Sequence, residues 1–347
     1  MWHVFATSPT DTDPLSWRHA WQAAALGEFG FYRQADCRPA DHFRTSAHIG
    51  GPFAAAIFDR LRGVDERLAH PSTLTVVDVG AGGGELLNAL AGLIAASDPG
   101  LAGRVELIGV DLRDRPEHLR SDIGWIKGLA PVCAPTDITG MIVATELLDD
   151  IPIDIAELDA TGDWRYLRLD SAGVTSLGEV LASNDQKWVD AFAGRSELSA
   201  GTGTRVEIGA TRDTVGTALA SRLLEGDALF IDYVSGTGST LSAFRHGHEV
   251  APVTDGSMNI TAAVHQRSLT STLTRFGDVH VQDQANALAE YQRPREATEM
   301  SMMVRLQWRS AWQELTDRAG LGSHSWISLT RTNTDLPQQD AKQEMSR

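Results

Sequence analysis

The chain has 347 residues, a hydrophobic fraction of 42% and a formal net charge of −16, which suits one large α/β domain or two modest ones. The surplus of acids argues against general binding to a phosphate backbone, and no apolar run nears the ~20 residues that span a bilayer, so neither nucleic acid nor a membrane is expected as partner. The acidic balance serves solubility and would steer a cationic partner.

The opening MWHVFATSPTDTDPL lacks the basic-then-apolar order of a secretion signal, so the expected location is the cytoplasm. Cys37 and Cys133 are the two cysteines. They stand far apart, in no metal-type spacing, and read as buried small hydrophobes rather than as a disulfide or a zinc pair.

Residues 14–29 and 50–69 carry apolar side chains at helical spacing, the second with Phe53, Ile57, Leu61 and Val64 three or four apart. They predict a helical segment within 1–70 that packs on the core. LTVVDVG (74–80) reads as a buried strand, ELLNALAGLIAA (85–96) as a helix, RVELIGVDL (104–112) as a strand, IGWIKG (123–128) as a weak strand and GMIVATE (140–146) as another buried strand. This alternation implies an α/β fold with a doubly wound, mostly parallel sheet and helices on both faces.

Further along, DIAELDA and DWRYLRLD flank Thr161-Gly162 as an antiparallel hairpin. The polar stretch 171–203 reads as a loop-rich excursion, giving an insertion at about 153–204. TRVEIGA leads into a helix at about 211–224, and GDALFIDYV (226–234) is a late core strand. SGTGSTLSAFRHGHE reads as Gly- and Ser-rich turns, followed by helices within 265–276 and 283–318 and a strand SWISLT. The main domain thus covers 71–335, and 336–347 is expected to be a disordered tail. Met and Trp residues in TEMSMMVRLQWRSAWQEL suggest core packing or a subunit contact.

The chemistry concentrates at VVDVGAGGGELL, where glycines 80, 82, 83 and 84 stand between a strand and a helix. Only glycine lets the backbone turn sharply there and approach a ligand closely. A dinucleotide fingerprint fails, because Gly-x-Gly-x-x-Gly counted from Gly80 ends on Glu85 and counted from Gly82 ends on Leu87. A Walker loop fails for want of a Gly-Lys-Ser/Thr, and no Gly-x-Ser-x-Gly elbow supports a hydrolase. What remains is Asp-x-Gly-x-Gly-x-Gly, carried by Asp78, Gly80, Gly82 and Gly84.

That pattern resembles the first motif of class I S-adenosylmethionine methyltransferases. The resemblance implies S-adenosyl-L-methionine as cofactor, with helix N-terminal amides for its carboxylate and Asp78 for its cationic nitrogen, directly or through water. Asp111, closing RVELIGVD, is then placed to accept hydrogen bonds from the ribose hydroxyls.

A narrower resemblance lies in ATELLDDIP, which is similar to the Asn-Glu-hydrophobic-Leu-Asp-Ala-hydrophobic-Pro motif of the MidA-like methyltransferases. This bacterial and mitochondrial family includes an arginine methyltransferase acting in respiratory complex I assembly. FYRQADCRPADHFRTSAHIGGPF resembles its amino-terminal motif. GDALFIDYVSG and STLSAFRHGHEVAPVTDGSMNITAAVHQRSL resemble its Ile-Asp-Tyr-Gly, Thr-Leu-x-Ala-x-Arg-x-His and Asp-Ile-Thr-Ala-His-Val-Asp series. The likeness implies an arginine-bearing protein as methyl acceptor, with Glu146 and Asp149 clamping the guanidinium through bidentate hydrogen bonds. Asp150 is expected to face solvent or cap the following turn, while Asp232 and Tyr233 either line the same pocket or simply end a strand.

The chain departs from that pattern at Ala47-His48 in place of Pro-Glu and at Thr145 in place of Asn. It departs again at Asn259, Ala263 and His265 in place of Asp, His and Asp. These changes lie on the substrate side and leave a second reading, a non-catalytic assembly or binding protein that keeps the fold. His246 and His248 lack a carboxylate arrangement that would complete a metal site, and none is expected.

Overall fold

A computed structural model describes residues 14–34, 45–194, 197, 201–235, 240–245, 248–293 and 301–332. Cys37, His246, the opening segment and the expected tail lie outside these residues. In chain order, Leu15–Ser16 (β1) enters the helix Trp17–Leu26 (α1), whose first turn is capped by the Ser16 side chain accepting from the His19 amide. Ser46–Ile49 (α2) is capped likewise by Thr45, and Pro52 opens Pro52–Arg67 (α3), its missing N–H costing nothing in the first turn.

The core alternates as the sequence predicts: Leu74–Val79 (β2), Glu85–Ser97 (α4), Val105–Asp111 (β3), Gly124–Lys127 (β4) and Ile138–Thr145 (β5). Next come Asp154–Leu158 (β6), Trp164–Leu169 (β7), Thr175–Val180 (β8), Ser183–Phe192 (α5) and Arg205–Ile208 (β9). Ala210–Ala220 (α6) then leads into Leu223–Asp232 (β10). Short strands follow at Val234–Ser235 (β11), Ser242–Arg245 (β12), His248–Val250 (β13), Asn259–Thr261 (β14) and Val264–His265 (β15). Gln266–Leu273 (α7), Asp278–Asp283 (β16), Met302–Thr316 (α8) and Ser325–Arg331 (β17) complete the described fold.

The main sheet has the order β16-β17-β10-β5-β2-β3-β4. The strands β10, β5, β2, β3 and β4 run parallel, while β17 is antiparallel to both its neighbours. The buried strands are continuous apolar runs because each face meets a helix layer. On one face Val76, Met141, Val143 and Ile231 pack against Phe53, Ile57 and Leu61 of α3 and Leu87 and Leu90 of α4. On the other, Val77, Ile142, Ala144 and Phe230 meet Val215 and Leu219 of α6 and Leu269 and Leu273 of α7.

Three local expectations are corrected. The 171–203 stretch contains β8 and α5, and the predicted hairpin belongs to a second, antiparallel sheet, β1-β7-β6-β9 with β8 on β7. Its core was hidden by distance in sequence: Trp17 and Trp21 of α1 cover one face and Trp188 and Val189 of α5 the other. The expected helix at 211–224 stops at Ala220, and β10 begins at Leu223. The expected turns around 242–250 hold β12 and β13, which form a small sheet with β14.

Cys133 is free and half-buried rather than buried. In α8, core packing holds only for the second half. Met302 is 70% and Met303 68% exposed, whereas Trp308 and Trp312 donate their indole N–H groups to the Tyr291 and Leu288 carbonyls. No helix among the described residues is long and apolar enough to cross a membrane.

Candidate functional site

The strand order reverses between β2 and β5, and in open α/β sheets ligands lie outside the carboxyl ends of strands at that switch. Both sequence motifs emerge there. After β2 the backbone enters the left-handed region at Gly80, Gly82 and Gly84, with φ of 76°, 61° and 78°. A Cβ at Gly84 would lie 2.5 Å from Leu119 Cδ1, and one at Gly80 2.9 Å from Leu147 Cδ1, so both are pinned against neighbours. Gly82 is the open position: the nearest atoms to a Cβ there are the ends of Arg113 and Glu85, at 3.7 Å.

Asp111, at the tip of β3, accepts from the Gly82 amide (2.9 Å) and from the Arg113 amide (2.9 Å) and Nε (3.2 Å). It therefore ties the glycine loop to the next strand, with further lone pairs left over. Glu85 folds back so that its carboxylate accepts from the Gly83 amide (3.0 Å), and its other oxygen lies 3.4 Å from His48 Nε2. The loop thus already receives a carboxylate. Asp78 is buried and has no hydrogen-bond partner among the described residues. Burial, with smaller contributions from Asp111 and Glu85, pushes its carboxyl up to about 7. A buried acid among acids is suited to a cation.

After β5, Glu146 sits in the left-handed region at φ 50°, uncommon for a side chain of this size and characteristic of functional turns. Its amide donates to the Ile231 carbonyl (2.7 Å), and its Oε1 accepts from the Ser46 amide (2.8 Å). Burial raises its carboxyl to about 8 against the opposing Ser46 hydrogen bond, and Asp149 adds to the rise. His324 Nδ1 lies 3.9 Å from the same Oε1.

Asp149 Oδ2 accepts from the Thr261 hydroxyl (2.8 Å), whereas its Oδ1 is buried without a partner among the described residues. Burial raises this carboxyl too. Asp232 Oδ2 accepts from the Leu148 and Asp149 amides (2.9 and 3.2 Å), so of its two readings the structure shows a strand-end acid that holds the turn. The Tyr233 hydroxyl bonds Thr261.

Asp150 is corrected. It does not face solvent but takes the Tyr32 hydroxyl on one oxygen and Asn259 Nδ2 (3.1 Å) on the other. The Tyr32 hydroxyl also reaches Asn259 Oδ1 (2.7 Å). Asn259, one of the positions at which the chain departs from the MidA-like motif, is thus in direct contact with Asp150.

Sequence reading missed Arg212, His324 and Tyr32. Arg212 is fully buried and donates to the carbonyls of Asp149 (2.6 Å), Ile151 (3.0 Å), Ala262 (2.6 Å) and Ala263 (2.9 Å). It braces the acid-bearing turn against β14 and faces Asp149 and Asp232 electrostatically. Its signal was a charge at i in the apolar stripe completed by Val215 and Leu219 at i+3 and i+7. No local pattern marks His324 or Tyr32. Among the described residues no three His, Cys, Asp or Glu side chains are grouped to hold a metal.

Comparison with known proteins bears on this geometry. The chain aligns over 92% of its length, and over 88% of the other chain, with a Burkholderia thailandensis COG1565 superfamily protein bound to S-adenosylhomocysteine, at a TM-score of 0.72 and 20% identity. A native structure of a COG1565 superfamily protein from that organism aligns over 92% and 87% at a TM-score of 0.69 and 20% identity. No curated protein sequence matches. The fold is the class I methyltransferase fold. Residues 57–284 match the family model described as S-adenosyl-L-methionine-dependent methyltransferase, more than half of the chain, and the protein belongs to that family. Its cofactor is S-adenosyl-L-methionine, and the site fits that group: an open glycine, amides already receiving a carboxylate and an unpartnered buried acid stand at one sheet edge.

Proposed function

We propose that this methyltransferase modifies an arginine side chain of a protein. The observation that supports this acceptor is the turn after β5, where Glu146 and Asp149 are buried together and Asp149 Oδ1 lacks a partner. A planar cation with several N–H groups relieves both conditions at once, because it supplies charge and donors to each carboxylate.

In this reading the amides at the N-terminus of α4 hold the cofactor's carboxylate, Asp78 its ammonium and Asp111 its ribose hydroxyls. The bound cofactor supplies an electrophilic methyl group on a sulfonium. Methyl transfer is an in-line displacement, so the chain's part is alignment and charge stabilisation. Glu146 and Asp149 fix the guanidinium plane and draw its positive charge away from the reacting nitrogen. Arg212, bonded to the Asp149 carbonyl, keeps the turn in place.

The test is transfer of labelled methyl from S-adenosylmethionine to an arginine-containing peptide and to its lysine-substituted copy. Label recovered as methylarginine supports the reading. Transfer to lysine alone, or to neither peptide while a small amine or hydroxyl acceptor is labelled, overturns it.

A further inference from the structure

Beside Glu146 lies a second ionisable group, the imidazole of His324. His324 follows the turn Leu321–Ser323 and precedes β17. The residue is 8% exposed, and its Nδ1 is buried, faces Glu146 Oε1 at 3.9 Å and has no hydrogen-bond partner among the described residues. Leaving a buried polar nitrogen unpaired opposes folding, so packing alone does not account for an imidazole here.

The neighbours leave this nitrogen to Glu146. Ser46 Oγ and Trp326 Nε1 are both engaged by the Gln284 side chain at 3.2 and 3.1 Å. The Tyr233 ring centre is 6.1 Å away, with its hydroxyl committed to Thr261. The charged groups facing the pair are the acids Asp149 and Asp232, and the Arg212 guanidinium is spent on carbonyls behind them.

Resting on the arginine reading above, we propose that His324 is a positioning residue that receives, through Glu146, the proton released when the acceptor nitrogen is methylated. The nitrogen lone pair forms the N–C bond as the C–S bonding pair returns to sulfur, leaving a neutral thioether. The guanidinium then sheds one N–H proton to the Glu146 carboxylate, so charge and atoms balance once that proton is accepted. Closing the 3.9 Å to Nδ1 requires Glu146 Oε1 to leave the Ser46 amide, and the 10% of the His324 side chain that remains in contact with solvent gives the proton an exit.

The resting state is poised for this. Burial holds the carboxyl up to about 8 and the ring down to about 4, so without acceptor the proton sits on Glu146 and the ring is neutral. A guanidinium against the carboxylate displaces that resting proton to solvent before transfer, which leaves Glu146 ionised and the ring neutral, so the pair can take the one proton that methylation releases.

Ring-nitrogen NMR of the full chain, labelled at histidine, tests the pair without any acceptor. The neutral His324 ring should carry its proton on Nε2 and show a second inflection near pH 8 that disappears in Glu146→Gln. Identical titrations in the two proteins overturn the proposal. In the peptide assay, His324→Asn, which keeps a hydrogen-bonding group but no basic nitrogen, should lower kcat at least tenfold with KM within twofold, and added imidazole should restore part of the loss. Unchanged kcat overturns the relay. Should wild type label no arginine peptide while the NMR coupling is present, the arginine acceptor fails and the proton pair stands. The NMR comparison needs no His324 variant, so a poorly folding His324→Asn leaves a decisive measurement.

Discussion

Glu146→Gln should make the protein more resistant to unfolding at alkaline pH than the wild type, with the difference vanishing in acid. The Gln amide oxygen can still accept from the Ser46 amide, so the local structure is kept while the titration is removed. In the folded chain Glu146 holds its proton up to about pH 8, whereas in the unfolded chain it releases it near 4.5. Between those values folding takes up a proton, so stability falls as pH rises, by up to about 1.4 kcal/mol per unit for this one group. Below 4.5 both states are protonated and the term is absent. Above 8 it is fully developed, at most about 5 kcal/mol, and local relaxation lowers that figure.

Urea unfolding of both proteins at pH 5.5, 6.5 and 7.5 reads the slope directly. The Gln variant should gain about 1.4 kcal/mol on the wild type for each unit. Parallel pH profiles would show that Glu146 is solvated and already ionised, and would remove the physical basis of the clamp. The same variant should retain cofactor affinity and lose transfer.

Four further outcomes follow from the geometry. S-adenosylmethionine at 100 times its dissociation constant should stabilise the fold by about 2.7 kcal/mol, and Asp111→Ala should remove most of that gain in a thermal-shift titration; an unchanged dissociation constant takes Asp111 out of the ribose site. Gly84→Ala should cost about 1–3 kcal/mol, since it adds a Cβ at positive φ against Leu119, and Leu119→Ala in the same chain should recover part of it. Asn259→Asp should destabilise the fold more at pH 8 than at pH 5, because it sets a second carboxyl against Asp150, and adding Asp150→Ala should cancel that pH dependence; additive effects would show that the two side chains do not interact. Arg212→Met should cost about 3–5 kcal/mol in denaturant unfolding, as the carbonyls of Asp149, Ile151, Ala262 and Ala263 lose their donor.

The parallel core was legible because doubly covered strands such as Met141–Ala144 are uninterrupted apolar runs, with Val76, Val77 and Val79 broken only by Asp78, and helices such as 52–67 repeat every three to four residues. The second sheet was not. Its strands are short, and their partners arrive from 15–16 and 205–208, on either side of a whole set of core elements. Pattern within a window reports which face is apolar, not what will cover it.

For the site, sequence alone set the glycine spacing, excluded a pyrophosphate loop and located the acids at strand ends, since these depend on residue type and order. Tertiary structure decided what each acid meets. Asp150 proved to be held by Tyr32 and Asn259, 118 positions before it and 109 after it, and Asp232 to brace the turn that carries Asp149. Most of all, it brought His324 to 3.9 Å from Glu146, 178 positions earlier in the sequence. Protonation and polar pairing depend on burial and on neighbours a few ångströms away, and those neighbours are chosen by the strand order of the sheet, which no local stretch of sequence encodes.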